Sequence, residues 1–198
     1  MHYVLSWTNA KKNMRKVVYG INVSADGCCD HTKMAGGEDL HKFYADALRD
    51  SDVLLYGRVT YELMVPFWPD VARKHTGDKT MDDFADAFDA VNKIVVVSKT
   101  LKNPDNKKVT VINSDLKNEV LKLKQEPGKD ILVGGVDLPS QLMKLGLIDE
   151  YIIVVLPIVV GEGRRLWDGV NLPNMLELKL KESKVLPSGC VVMRYAKG

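Results

Sequence analysis

Cysteine is scarce in this 198-residue chain, which has three: Cys28, Cys29 and Cys190. They cannot all pair, and the adjacent Cys28 and Cys29 are poorly placed to bridge each other. Reduced thiols in a cytoplasmic protein are therefore the simpler expectation. Neither Cys-x-x-Cys nor His-Glu-x-x-His occurs, so His31 and His41 with the cysteines form no recognisable metal set, and no metal is expected. An excess of one charge is also lacking. With 28 Lys+Arg against 26 Asp+Glu the net charge is only +2, too small to point to nucleic acid or a membrane surface as a partner. No apolar stretch nears the ~18 residues that a membrane span needs. The longest, Tyr151–Val160, contains Pro157, is rich in Ile and Val, and reads as a central strand. Met1–Asn13 has no secretory apolar core, so nothing in it directs export, and Asn22-Val23-Ser24 is read as a chance sequon. Walker and nucleophile-elbow motifs are missing too. No Gly-x-Gly-x-x-Gly follows a strand, since Gly161-Glu162-Gly163 has Leu166 where the third glycine would stand.

What the chain does contain is a run of strand-to-helix turns marked by glycine. The β-run Ile131-Leu132-Val133 ends in Gly134-Gly135, and Val136-Asp137-Leu138 opens a helix with Leu138, Leu142 and Leu145 on its apolar stripe. Glycines there let a ligand approach the backbone, and the helix mouth offers unpaired N–H groups and the positive end of its dipole, which suits a pyrophosphate. Asp137 is the expected N-cap. An ordinary tight βα turn is the alternative reading of this segment. Val53-Leu54-Leu55-Tyr56 leads in the same way into Gly57-Arg58-Val59-Thr60-Tyr61-Glu62, adding a guanidinium and a hydroxyl at a second helix mouth.

Length argues for one domain, and no repeat or composition break divides the chain. Lys16–Val23 reads as a strand running into Ser24-Ala25-Asp26-Gly27. A helix is expected near Glu38–Arg49, with Leu40, Phe43, Tyr44, Ala47 and Leu48 at helical spacing, and another from Arg58 to about Val65. Trp68-Pro69 should begin a long connection to about Lys79. Met81, Phe84, Ala85 and Phe88 mark a short helix before the strand Lys93–Val97, and Val109–Ile112 is a strand followed by a helix capped by Ser114. Strands at Asp149–Val159, Leu176–Val185 and Cys190–Tyr195 follow, the last two joined by Leu186-Pro187-Ser188-Gly189. The fold class is thus α/β: a mixed, mainly parallel sheet with an antiparallel C-terminal edge and helices on both faces.

From about Arg15 to Ala196 the chain resembles the dihydrofolate reductase superfamily, most closely its riboflavin-biosynthesis reductase branch and small stand-alone reductases related to it. Gly57-Arg58-x-Thr60, Gly134-Gly135, Leu147-Ile148-Asp149-Glu150-Tyr151 and Pro157-x-x-x-Gly161-x-Gly163 carry the likeness through their order and spacing. The resemblance implies a three-layer reductase domain over residues 15–198, preceded by an N-terminal extension at residues 1–14. It further implies NADPH as cofactor, with phosphates between Gly57, Arg58 and Thr60 on one side and Gly134, Gly135, Val136, Asp137 and Leu138 on the other. Ser98 and Lys99 would line the adenosine end, and the Gly134–Gly135 peptide would be cis. Arg58 suits a 2′-phosphate because its fork matches phosphate oxygens, although a surface ion pair explains it equally well.

For catalysis the resemblance points to Asp39, in Asp39-Leu40-x-x-Phe43, as the acidic residue that binds a pterin and supports its protonation, and places Asp26 in a loop over the nicotinamide. Turn formation by Asp26 and a helix-dipole role for Asp39 are the alternatives. Asn22, Tyr61 and Trp68 are expected in the substrate pocket, with aromatic packing in the core as the alternative for the last two. The implied activity is hydride transfer to a pterin- or folate-like heterocycle or to a ribosyl-aminopyrimidine. The rival is a non-catalytic nucleotide-binding or interaction protein that keeps the fold. A homodimer built largely from the C-terminal strand region is also expected, because Tyr151–Val160 is too apolar for an exposed strand, Leu176–Val185 adds alternating Leu and Val beside it, and the related reductases are typically dimers. Burial against the chain's own helices is the alternative.

Overall fold

The computed structural model describes residues 14–198 except Ala35 and Asn103. The expected extension at 1–14 therefore lies, Met14 apart, outside the described residues. The strands are β1 (Val17–Ser24), β2 (Ser51–Gly57), β3 (Lys93–Val97), β4 (Val109–Ile112), β5 (Asp130–Val133), β6 (Glu150–Leu156), β7 (Leu178–Val185) and β8 (Val191–Lys197). They form one 8-stranded sheet in the order β4-β3-β2-β5-β1-β6-β8-β7. From β4 to β6 every pairing is parallel, and β8 and then β7 add antiparallel to that edge.

Strands covered on both faces read as continuous Val/Ile/Leu runs, because alternate side chains enter opposite cores. Leu54 and Tyr56 of β2 and Ile94 and Val96 of β3 face one core; Val53, Leu55 and Val95 face the other. The first core is closed by α1 (Glu38–Arg49) and α4 (Lys79–Asp89) through Leu40, Leu48, Phe84 and Phe88. The second is closed by α5 (Leu116–Gln125) and α6 (Asp137–Lys144) through Val120, Leu123, Leu138 and Leu142. Leu142 is fully buried, and truncating such a leucine to alanine costs about 2–5 kcal/mol. Helix α2 (Arg58–Met64) and α3 (Trp68–Lys74) complete the helices, with a short 3-10 turn at His31–Lys33.

Several local expectations change. The connection after Trp68 is the helix α3, with Pro69 in its first turn, where the missing N–H has no intrahelical partner to lose. The N-cap of α5 is Asp115 rather than Ser114: its carboxylate accepts the Asn118 amide at 3.3 Å. Strand β7 starts at Leu178 rather than Leu176, and all its residues beyond Leu178 are exposed. Strand β6 lies between β1 and β8, so neither of its edges is bare, and of its side chains only Ile153 and Val155 are left partly exposed.

The amino ends of the central strands are fixed by charge. Lys124 Nζ lies 2.6 Å from Asp149 Oδ2, and the same oxygen accepts the Val17 amide at 2.7 Å. Glu150 accepts from Lys16 at 2.6 Å and from Arg194 at 2.9 Å. The Leu147–Tyr151 segment thus joins β1, α5 and β8 at the end opposite the carboxyl termini of the strands.

Candidate functional site

A cavity of about 760 Å³ opens at the carboxyl ends of β1, β2 and β5, the place where parallel α/β sheets bind ligands. Asn22 of β1, Gly57 at the end of β2 and Gly134-Gly135 after β5 all line it, with α1, α2 and α6 as walls.

In one half, Gly57, Arg58, Val59 and Thr60 face Gly134 through Leu138. Gly135 is essential to that approach. Its φ is +89°, and a Cβ there would lie 2.4 Å from Thr60 Oγ1. The Gly135 carbonyl accepts the buried Tyr19 hydroxyl at 2.9 Å, which locks the turn. The Gly134–Gly135 bond is trans, against the cis form that the resemblance implies; the positive φ of Gly135 turns the chain into α6. Helix α6 begins at Asp137 with Val136 as its N-cap and no side-chain cap. Instead of capping, the Asp137 carboxylate meets Arg164 Nη2 at 2.6 Å across the cavity mouth, an ion pair that pushes the guanidinium pKa further up. Arg58 Nη1 lies 2.9 Å from both Glu62 carboxylate oxygens, on an exposed helix surface. Ser98 and Lys99 line a smaller cavity of about 300 Å³ with the start of α5; Val97 and Gln141 border both cavities.

The other half is walled by Met34, Leu40, His41, Tyr44, Leu48, Met64 and Phe84. Asn22 is here, and its Oδ1 accepts the Tyr44 hydroxyl at 2.9 Å. Tyr61 and Trp68 are not on the wall. Tyr61 sits one helical turn before Val65 and packs with it on the first core, so Thr60 and Leu63 reach the cavity in its place. Trp68 lies behind Phe84 and His41, at ring-centroid distances of 4.4 and 5.9 Å.

Neither carboxylate singled out for catalysis faces the cavity. Asp39 turns to the β7–β8 hairpin, where Oδ2 accepts the Ser188 amide at 2.7 Å. Burial pushes its pKa up, but the Ser188 hydrogen bonds outweigh burial and hold it below the usual carboxylate range. Asp26 fastens the segment after β6. It accepts the Ser24 hydroxyl, the Val160 amide at 3.1 Å and the Gly161 amide at 2.9 Å, and pairs with Arg165 at 3.1 Å. Those bonds, the Ser24 hydroxyl foremost, hold it well below the carboxylate range. Of the carboxylates that do line the cavity, Asp137 is held by Arg164 and Asp30 caps the 3-10 turn through Thr32.

Sequence reasoning missed His31, His41, Tyr44 and Arg164 as lining residues. Leu40, Tyr44 and Leu48 were legible as an inward stripe, but the stripe faces the cavity as well as the core. Arg164 reaches the site because its loop is stitched to the segment after β1: Cys29 N donates to Arg164 O at 2.9 Å and Leu166 N to Gly27 O at 2.9 Å. No helix among the described residues is long and apolar enough to cross a membrane.

Comparison with known proteins fits this geometry. The RibD C-terminal domain family matches residues 15–192. The uncharacterized protein YyaP of Bacillus subtilis (strain 168) is 30% identical over 188 residues, which span 91% of this chain and 94% of YyaP. A putative riboflavin biosynthesis protein from Shewanella sp. PV-4 has the same fold, with TM-score 0.70 at 18% identity over 92% of this chain and 99% of that one. Dihydrofolate reductase from Enterococcus faecalis, solved with NADP(H), follows at TM-score 0.59 and 13% identity, covering 92% and 96% of the two chains. The three-layer architecture is therefore dihydrofolate-reductase-like, and the chain belongs to the RibD C-terminal domain family.

Proposed function

We propose that this protein is an NADPH-dependent reductase that delivers a hydride to a small heterocyclic acceptor. The observation that carries the reading is the cradle between α2 and α6. Gly135 is the only residue type that fits against Thr60 at its φ, and it leaves the backbone N–H groups at the start of α6 open to the cavity. Arg58 and Arg164 supply positive charge on either side, and the smaller cavity at Ser98 and Lys99, which shares Val97 and Gln141 with the larger one, would take the adenosine end. NADPH, when bound, supplies the hydride; the chain's own residues bind, orient and exclude water. Phosphates would rest on Gly57, Thr60 and the Gly135–Leu138 backbone, with Arg58 on the 2′-phosphate. Asn22 and Tyr44 orient the acceptor against the apolar wall. The proton that completes reduction comes from solvent, since Asp39 and Asp26 are engaged elsewhere.

Reductase membership of the family and the NADP(H) complex of the Enterococcus faecalis enzyme support this reading. The test is NADPH consumption across dihydropterins, pyrimidine ribosides and quinones. Turnover of at least one acceptor, faster with NADPH than with NADH, is expected. The binding-protein alternative draws on the carboxylates facing away from the cavity, and would appear as NADPH binding with no turnover of any of them.

A further inference from the structure

Resting on the reductase reading, we infer that Arg164 is the chain's cation for the nicotinamide-side phosphate of the dinucleotide. Asp137 holds its guanidinium at the cavity mouth until that phosphate arrives. The two side chains meet at 2.6 Å, Arg164 Nη2 to Asp137 Oδ1, and both residues line the cavity. A carboxylate is an odd neighbour for a phosphate. Asp137 stands in the first turn of α6, an end with no side-chain cap, among the backbone N–H groups open to the cavity. A negative charge is at home at a helix N-terminus, but there it competes with any anionic ligand. In the empty site Asp137 therefore offers Arg164 the kind of oxygen that a phosphate would offer.

Arg164 has a fixed backbone and a free side chain, the combination that a change of partner needs. Its carbonyl accepts the Cys29 amide at 2.9 Å, and Leu166 N donates to Gly27 O at 2.9 Å. Gly163, at φ +88°, packs so closely that a Cβ would lie 3.1 Å from Cys28 Sγ. Trp167 meets Tyr19 edge-on at 5.7 Å, and the Tyr19 hydroxyl holds the Gly135 carbonyl. One buried ring thus ties the Arg164 segment to the turn before α6. By contrast, the Arg164 and Asp137 side chains are 45% and 76% exposed. An exposed ion pair holds its partners weakly, whereas a guanidinium on phosphate makes parallel charge-assisted bonds. The next residue, Arg165, pairs with Asp26 inside the segment and does not line the cavity.

Sheet order identifies the phosphate. Ser98 and Lys99 follow β3, Gly57–Thr60 follow β2, Gly134–Leu138 follow β5, and Arg164 is stitched to Cys29 in the segment after β1. These strands neighbour one another in the order β3-β2-β5-β1. A dinucleotide with its adenosine at Ser98 therefore crosses Arg58 first and reaches Arg164 on its nicotinamide side. Arg58 then separates NADPH from NADH, while Arg164 serves both.

Calorimetric titration of NADPH, NADH and adenosine 2′,5′-bisphosphate into wild type, Arg164→Gln and Asp137→Asn tests this assignment. Arg164→Gln should weaken both dinucleotides alike, by about ten-fold or more, and leave the bisphosphate, which lacks the nicotinamide-side phosphate, within about two-fold. Asp137→Asn should tighten both dinucleotides by about two- to five-fold, since it frees Arg164 and removes a like charge. Each substitution breaks the same ion pair, so a pair that only fastens the loop to α6 would shift binding in one direction for both. Dinucleotide binding unchanged in Arg164→Gln, equal weakening of the bisphosphate, or an Asp137→Asn protein that binds no more tightly than wild type would overturn the inference alone. Wild-type protein that binds neither dinucleotide would overturn the reductase reading and the inference with it.

Discussion

Gly135 carries more of the site than any other single residue. Its φ of +89° and the 2.4 Å approach of a would-be Cβ to Thr60 Oγ1 are separate constraints with separate remedies. Gly135→Ala should lower stability by about 1–3 kcal/mol in urea unfolding, since a left-handed conformation and a steric shift both oppose the methyl group. Removing the hydroxyl with Thr60→Ala in the same background should return the steric part and leave the conformational part. A Gly135→Ala protein as stable as wild type would mean that the turn is softer than its geometry indicates. Glycines of this kind are legible in a sequence because the demand is local, a strand exit followed at once by a helix. Asp39 shows the opposite case. Its first-turn position fits both a catalytic acid and a dipole role, and what decides its orientation is the Ser188 amide, 149 residues away. Arg164 was invisible for the same reason: its partner Asp137 is 27 residues upstream, with only a loop's path to bring them together.

At the scale of elements, strong periodicity makes strands and helices legible in the sequence, whereas an element whose start depends on one residue's chemistry is not. Trp68-Pro69 reads as the start of a long connection, yet proline in a first turn costs nothing and α3 begins there. The alternating leucines and valines of Leu176–Val185 point to a strand that a partner subunit would cover; β7 is the outermost strand, and all its residues beyond Leu178 are exposed in the single chain. The charged ends of β1, β5 and β6 make testable claims about how these elements hold together. Asp149→Asn leaves Lys124, only 7% exposed, without its partner. A loss of roughly 2–4 kcal/mol in denaturant unfolding is expected, less than for a fully dry pair because Asp149 keeps some contact with water. Unchanged stability would show that solvent replaces the carboxylate at no cost. For Glu150, burial pushes the pKa up, but hydrogen bonds from Lys16 and Arg194 outweigh it and hold the group below its ordinary range. A depressed carboxylate adds stability that is complete above its unfolded pKa and is lost as pH falls through the folded value. Acid titration of stability should therefore drop less steeply below the ordinary glutamate range in Glu150→Gln than in wild type. Parallel curves would remove Glu150 from the linkage.

For the whole molecule, the expected dimer through the C-terminal strand region rests chiefly on the β7–β8 hairpin, since β6 has a strand on either side and β7 is outermost. Leu180 and Val185 of β7 are 57% and 68% exposed, and Met175 just before it is 85% exposed. Lys179, Lys181 and Lys184 discourage edge-to-edge pairing, so a second copy would cover a face of the hairpin instead. Sedimentation should give about twice 22.1 kDa at micromolar protein. A single species at the monomer mass would leave that face to solvent. The central claim, that the cavity holds NADPH for hydride transfer, is tested most directly by calorimetric titration of NADPH and NADH into wild type and Arg58→Ala. The exposed Arg58–Glu62 pair is worth only about 0.3–0.5 kcal/mol, so it does little to hold Arg58 from a phosphate. The account predicts one NADPH per chain, bound more tightly than NADH, with Arg58→Ala weakening NADPH about ten- to a hundred-fold and NADH much less. No binding of either dinucleotide, or equal losses for both on removing Arg58, would contradict it.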